Sequence, residues 1–333
     1  MNKDLVKEIK ITDIENIKIG NAEDEKSGTG CTVIICERGA ITGLDVRGGG
    51  PASRESEVTK PFAFAEFIHA VLLSGGSAFG LDAAGGVMKY LEERNIGFDV
   101  GVTKVPLVCE SCIFDLQAGD YKIRPDAKMG YQACVNSEKN NIQMGNHGAG
   151  TGATVGKILG INYAMKSGLG FYALQIGNLK VGAIVSVNAF GDIFDYESGK
   201  MIAGVLNKEK NGFGNSEEEL IKIAENKNLS FDMENNITTN TTIGAVITNA
   251  KFTKSQMGKI ASMSHNGFAR TIKPVHTTLD GDSIYAMSVG DIKANLDAVG
   301  SIAAIAMGKA INSAIINTKS AYGFKAYSDI IKV

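Results

Sequence analysis

Three side chains in this sequence have the types and spacing for acyl chemistry. Thr241 stands where a polar run rich in Asn and Thr, within NNITTNTTIGAVITNA at residues 235–250, gives way to a β-branched stretch starting at Ile243. A loop therefore feeds a buried strand at that point. Asp280 and Asp282 lie two apart in HTTLDGDSIYAMS, a spacing that turns both carboxylates to one side of an extended chain. If the bond from Asn240 to Thr241 were cut, Thr241 would carry a free α-amine beside its own hydroxyl. An amine of pKa about 7.7 suits a general base near neutrality, which would make Thr241 nucleophile and base in one residue. The plainer reading treats Thr238, Thr239, Thr241 and Thr242 as polar, β-prone loop residues, and spacing alone favours it.

Other motifs fail on inspection. GAGTGATVGK, Gly148 to Lys157, suggests a phosphate cradle, but the required earlier glycine falls on Thr151 and Ile158 follows the lysine, with no hydroxyl for Mg²⁺. Cys109 and Cys112 form a C-x-x-C inside the apolar VPLVCESCIFDL, where small buried hydrophobes explain them better than redox or zinc chemistry. His69, His147, His265 and His276 show no metal-binding spacing, and packing or solvent contact accounts for them. Ser77 in GGSAFG lacks the final glycine of a nucleophile elbow, because Phe79 stands there. No metal or organic cofactor is expected.

The elements that must position Thr241 fit an ordinary globular chain. Its 333 residues are 44% hydrophobic, enough for a sizeable core in one large domain or two intimately packed ones. Thirty-four basic against 36 acidic residues leave a net charge of −2, which gives no footprint for nucleic acid or an acidic membrane surface, so a small-molecule partner is expected. The first twenty residues have scattered charges and no apolar h-region, and no apolar run is expected to approach membrane-spanning length. Five cysteines are too few and too odd in number for a disulfide scaffold, which points to a cytoplasmic protein.

Along the chain, CTVIIC and ITGLDVRG read as two strands of a hairpin joined by ERGA, ending in the tight turn of Arg47 to Ser53. Helical spacing runs from Pro61 through Leu73 and from Ala78 to Arg94, with Gly97 as a stop. GFYALQIGN and KVGAIVSVNAFGD are strands about a turn at Gly177-Asn178, with Asn188 near the end of the second. Between Leu206 and Asn240 only SEEELIKIAENK is helical, with Ser216 as its cap, and the rest reads as an exposed connector. A strand over Thr242–Asn249, a helix capped by Thr253 and Gln256, the strand SIYAMSV and the Ala/Ile-rich helix LDAVGSIAAIAMGKAINSAII follow. Strand connections too short for crossovers favour antiparallel pairing and an α+β fold, with two sheets between helical layers as one solution.

Six stretches, GLDVRGGGPASRESE, HAVLLSGGSAFGLDAAGGVMKYLEE, GAGTGATVGK, VNAFGD, NTTIGAVITNA and HNGFARTIKPVHTTLDGDSIYAMS, resemble in order the motifs of a known family. It is the self-processing L-aminopeptidase D-amidase/D-esterase family, which also contains β-peptidyl aminopeptidases and the endo-type nylon-oligomer hydrolase. The resemblance spans nearly the whole chain. It implies a four-layer αββα sandwich shared with ornithine acetyltransferases, assembled as a homotetramer. It also implies a single-domain precursor, residues 1–333, that cuts itself at Asn240-Thr241 into an α chain (1–240) and a β chain (241–333) that stay associated.

By the same resemblance, Asn188 in VNAFGD supplies a side-chain amide to the oxyanion hole. Lys157 in GATVGK lies near the nucleophile and opposes protonation of its amine. Asp280 and Asp282 orient the amine and hydroxyl of Thr241. NTTIG and the paired aspartates look most like the nylon-hydrolase branch. Some members use a tyrosine where this chain has Phe114 in SCIFDL, which has no hydroxyl. The implied activity is hydrolysis of small peptides or amides through an acyl-Thr241 ester. The alternatives are an ornithine acetyltransferase-like acyltransferase and a non-processing binding protein on the same scaffold.

Overall fold

The computed structural model describes residues 5–225 and 240–331. Ten strands make two sheets that share one long strand: β1 (Lys7–Ile9), β2 (Lys18–Asp24), β3 (Thr29–Val46), β4 (Ser53–Arg54), β5 (Ile68–Ser74), β6 (Val108–Cys112), β7 (Leu169–Ile176), β8 (Leu179–Ser186), β9 (Ile243–Ala250) and β10 (Ser283–Ile292). Their order is β1-β7-β8-β9-β10-β3-β5-β6-β4, with β2 on the free side of the first half of β3. Pairing is antiparallel except for β9 with β10 and β5 with β6.

Residue alternation builds the layers. Ile34, Val71, Leu73 and Cys109 from one sheet meet Ile184, Ala245, Ile247, Tyr285 and Met287 from the other in a core between the sheets. On the outer face of the first sheet, Val181, Ala183, Val185, Val246, Ile284 and Ala286 pack under α4 (Lys254–Thr271) and α5 (Leu296–Ile316). On the outer face of the second, Val33, Ile35, Ala70 and Leu72 pack under α1 (Ala83–Glu92) and α2 (Ala127–Ser137). The fold is an α+β four-layer αββα sandwich. Each fully buried Ile, Leu or Val contributes about 1.5–3 kcal/mol of hydrophobic stabilisation. Close approach is needed where α4 crosses β3, since a Cβ on Gly43 would fall 2.1 Å from the nitrogen of Gly258.

Several expectations need correcting. ERGA is no hairpin: β3 runs through it as one 18-residue strand, with a register shift between Ile35 and Ala40 and Gly39 at φ +84°. Its first half pairs with β2 and β5 and its second with β10, so the two apolar runs serve different sheets. The helix expected through Leu73 is strand β5, whose seven residues are all buried, so its side chains carry no amphipathic period. α1 begins with a 3-10 turn at Ser77–Asp82 and ends before Gly97, at which point Asn95 takes φ +57°.

The helix α3 (Ser216–Glu225) is capped by Asn215, whose Oδ1 accepts from Glu217 and Glu218, while the Ser216 hydroxyl donates to Asp192. Of the connector expected between Leu206 and Asn240, residues 226–239 lie outside the described residues. Contrary to the expectation that no apolar run approaches membrane-spanning length, the 21-residue α5 is long and apolar enough to cross a membrane by length and composition, with 67% of its most apolar window buried in the fold. The turn at Gly177, the Thr253–Gln256 capping box and the bounds of α5 match expectation.

Candidate active site

Three neighbouring strands bring the candidate residues to one end of the sheet. Thr241 and Thr242 lead into β9, Gly281 and Asp282 lead into the parallel β10, and Asn188 follows β8 by two residues. The ladder continues past the strands: the Thr241 N–H donates to the Asn188 carbonyl at 2.9 Å, and Ser283 N–H donates to the Thr242 carbonyl at 3.2 Å. Asn240 pairs with Asp280 in an isolated parallel bridge. The glycine turn after β3 closes the far side, with Gly50 N–H on the Asp280 carbonyl at 2.8 Å.

Thr241 is 5% exposed, and its hydroxyl donates to the Asn240 carbonyl oxygen at 2.5 Å. The same oxygen accepts the Gly281 N–H at 2.8 Å, a distance suited to stabilising an oxyanion. The Thr242 hydroxyl is buried with no partner among the described residues. The two threonines thus differ: only the first has its hydroxyl against the preceding peptide.

The buried Asn188 side chain is oriented without ambiguity by its neighbours. Its Oδ1 accepts from Lys157 Nζ at 2.7 Å and Thr154 N–H at 3.1 Å, and its Nδ2 donates to the Phe114 carbonyl at 3.0 Å. One N–H of this amide is therefore committed to Phe114. Phe114 enters the site through its backbone oxygen.

Lys157 is 1% exposed, and its ammonium also reaches the Asn188 carbonyl at 3.3 Å. Burial pushes this lysine down to about 7, against the upward pull of Asp280 and Asp115. Asp280 is pushed up to about 6, first by burial and then by the Asp282 charge, while hydrogen bonds from Thr277 and the charge of Lys157 oppose the rise. Asp280 Oδ2 accepts the Thr277 N–H and hydroxyl, each at 2.7 Å. Asp282 Oδ1 accepts the Thr242 N–H at 2.7 Å, and Oδ2 accepts from His276 Nδ1 at 2.8 Å. The aspartates thus hold the Thr277 turn and the Thr242 peptide, and the Thr241 hydroxyl bonds to Asn240.

The structure therefore gathers Thr241, Asn240, Asn188, Lys157, Asp280 and Asp282 in one connected network. Sequence reading missed Gly281, whose contribution is a backbone N–H, and His276, which reaches Asp282 across a turn. The only signals for them were a glycine between two aspartates and a histidine six residues before the second. Cys109 and Cys112 are buried free thiols, and burial pushes Cys109 up to about 12, which suits packing. Among the described residues no group of three or more His, Cys, Asp or Glu side chains is placed to hold a metal ion.

The profile of peptidase family S58 matches residues 10–328. The chain belongs to this family. An uncharacterized aminopeptidase of Mycobacterium leprae is 34% identical, over 95% of this chain and 92% of its own. A 6-aminohexanoate-oligomer endohydrolase of Kocuria sp. is 27% identical, over 84% of this chain and 75% of its own. Among solved structures, a Burkholderia sp. β-aminopeptidase superposes with a TM-score of 0.65 at 17% identity, covering 96% of this chain and 90% of that one. The L-aminopeptidase D-Ala-esterase/amidase of Ochrobactrum anthropi, described as a variant of the Ntn hydrolase fold, gives 0.68 at 16% identity, with coverage of 92% and 86%. The S58 chain is thus a hydrolase of peptide or amide bonds on that fold.

Proposed function

We propose that the chain is a self-processing amide hydrolase with Thr241 as its N-terminal nucleophile, acting as an aminopeptidase or amidase on small peptides or amides. The observation that carries this reading is the setting of the Asn240-Thr241 peptide, whose carbonyl oxygen is held between the Thr241 hydroxyl and the Gly281 N–H. In processing, Oγ1 bonds to the Asn240 carbonyl carbon, the C–N bond breaks and the amine takes the proton, leaving an ester. Water then hydrolyses that ester, freeing the Asn240 carboxylate and the Thr241 amine and hydroxyl.

In the mature enzyme the free amine takes the hydroxyl proton as Oγ1 attacks the substrate carbonyl, and it returns a proton to the leaving amine. The second N–H of Asn188 is the side-chain donor available to the substrate oxyanion. Water completes the cycle. The acyltransferase alternative shares the ester and differs in its acceptor, and the relatives' names favour water. On the resemblance, the assembly is a tetramer of αβ units, and the cysteine usage suits a cytoplasmic setting.

Thr241→Ala should remain uncut and inert toward aminoacyl p-nitroanilides, while Thr241→Ser should retain part of both activities. Substantial turnover by pure, uncut Thr241→Ala would place the nucleophile elsewhere.

A further inference from the structure

His276 takes φ +59°, a left-handed backbone that costs a residue with a Cβ about 1–3 kcal/mol unless its surroundings hold it there. What holds it is Asp282. Its backbone N–H donates to Asp282 Oδ2 at 3.3 Å, and the ring Nδ1 faces the same oxygen at 2.8 Å, which assigns the hydrogen to Nδ1. The ring packs edge-on against His265, with centroids 4.8 Å apart, and lies over Phe268 at 5.9 Å. Its Nε2 is buried with no partner among the described residues, so its hydrogen-bonding is directed at the carboxylate.

The other oxygen of Asp282, itself 1% exposed, accepts the Thr242 N–H at 2.7 Å. That N–H belongs to the peptide plane joining Thr241 to Thr242. Together with the Thr241 N–H bond to the Asn188 carbonyl, it tethers the Thr241 backbone on both sides of its Cα.

We propose that His276 is a positioning residue for the nucleophile, fixing the Thr241-Thr242 peptide through Asp282. The proposal rests on Thr241 being the nucleophile, as argued above. Without the ring bond the carboxylate keeps only the longer 3.3 Å bond from the His276 backbone, so it would rotate more freely and loosen its hold on the Thr242 N–H. Small misplacements of a reacting group cost up to about 100-fold in rate.

The test compares parent, His276→Phe and His276→Asn. Phe keeps a ring against His265 and Phe268 without a donor, whereas Asn tolerates left-handed backbone and offers a side-chain N–H near the position of Nδ1. On cut enzyme with an aminoacyl p-nitroanilide, His276→Phe should lose about 10- to 100-fold in kcat with KM within about twofold, and His276→Asn should recover to within about threefold of the parent. Hydrogen exchange at the Thr242 amide, read without turnover, should quicken in His276→Phe and return towards parental protection in His276→Asn. Parental kcat in folded His276→Phe, or a folded His276→Asn as slow as His276→Phe, overturns the proposal. If the parent hydrolyses no anilide, the functional reading fails, and exchange still decides: unchanged Thr242 protection in His276→Phe overturns the pin. His276→Asp, close to Asn in size but with an acceptor in place of the N–H, replaces His276→Phe if that variant is recovered unfolded.

Discussion

The Gly281 N–H lies 2.8 Å from the Asn240 carbonyl oxygen, the same oxygen that accepts the Thr241 hydroxyl. Gly281 can sit there because it has no side chain: a Cβ would fall 2.8 Å from both Thr241 Oγ1 and the Gly50 carbonyl oxygen. Gly281→Ala should therefore displace either the donor or the nucleophile. We expect self-cleavage to slow by about 100-fold or more, the scale of losing an oxyanion donor. A gel time course of freshly purified protein reads the ratio of precursor to fragments. Parental kinetics in Gly281→Ala would remove Gly281 from the processing site.

The pH dependence of hydrolysis should reveal two opposing charges. The acidic limb of kcat/KM reports loss of a proton from the free Thr241 amine, which starts from about 7.7. A Lys157 ammonium lowers that amine and ionised Asp280 and Asp282 raise it. Lys157→Met should move the limb up in pH and Asp280→Asn should move it down, each measured on fully cut enzyme. The limbs belong to the site as a coupled set, because Lys157 at about 7 and Asp280 at about 6 titrate in the same range. An unchanged limb in both active variants would contradict these roles.

Stability should carry the mark of Lys157 as well. Its folded value of about 7 lies below the ordinary 10.5, so between those values the unfolded chain binds a proton that the folded chain does not. Stability then rises with pH across that window, by up to about 1.4 kcal/mol per unit, and is lost as pH falls towards 7. Lys166, held by the carbonyls of Gly150, Ala153 and Ser167 and also pushed down to about 7, adds its own share. Lys157→Met should remove about half of this lysine-derived slope. Urea unfolding at several pH values in the Thr241→Ala background, where a single chain unfolds, measures it, and an unaltered slope would mean that Lys157 is charged in the fold.

Where run length or a turn separated the elements, the sequence was readable. α5 was visible as an apolar run too long for a strand, and β7 and β8 as two short apolar runs about a glycine turn. β5 was misread because a fully buried strand and a buried helix segment share the same apolar composition. β3 was misread because its neighbours come from distant parts of the chain. At the site, Thr241, Asp280 and Asp282 could be singled out by type and spacing, and Lys157 and Asn188 only through the resemblance of their motifs to the family's. The Gly281 N–H could not, because a backbone donor acquires its direction only when β9 and β10 pair in register. The anchoring of Asp282 by His276 likewise depends on a turn conformation that composition does not specify.

Intact-mass analysis with N-terminal sequencing of hydrolytically active protein tests the central claim most directly. Cleavage at Asn240-Thr241 divides the 35.2 kDa chain into fragments of roughly 25 and 10 kDa, taking mass in proportion to length, and the smaller one begins with Thr241. An active sample that is a single uncut chain, or whose small fragment starts at any other residue, would contradict the account.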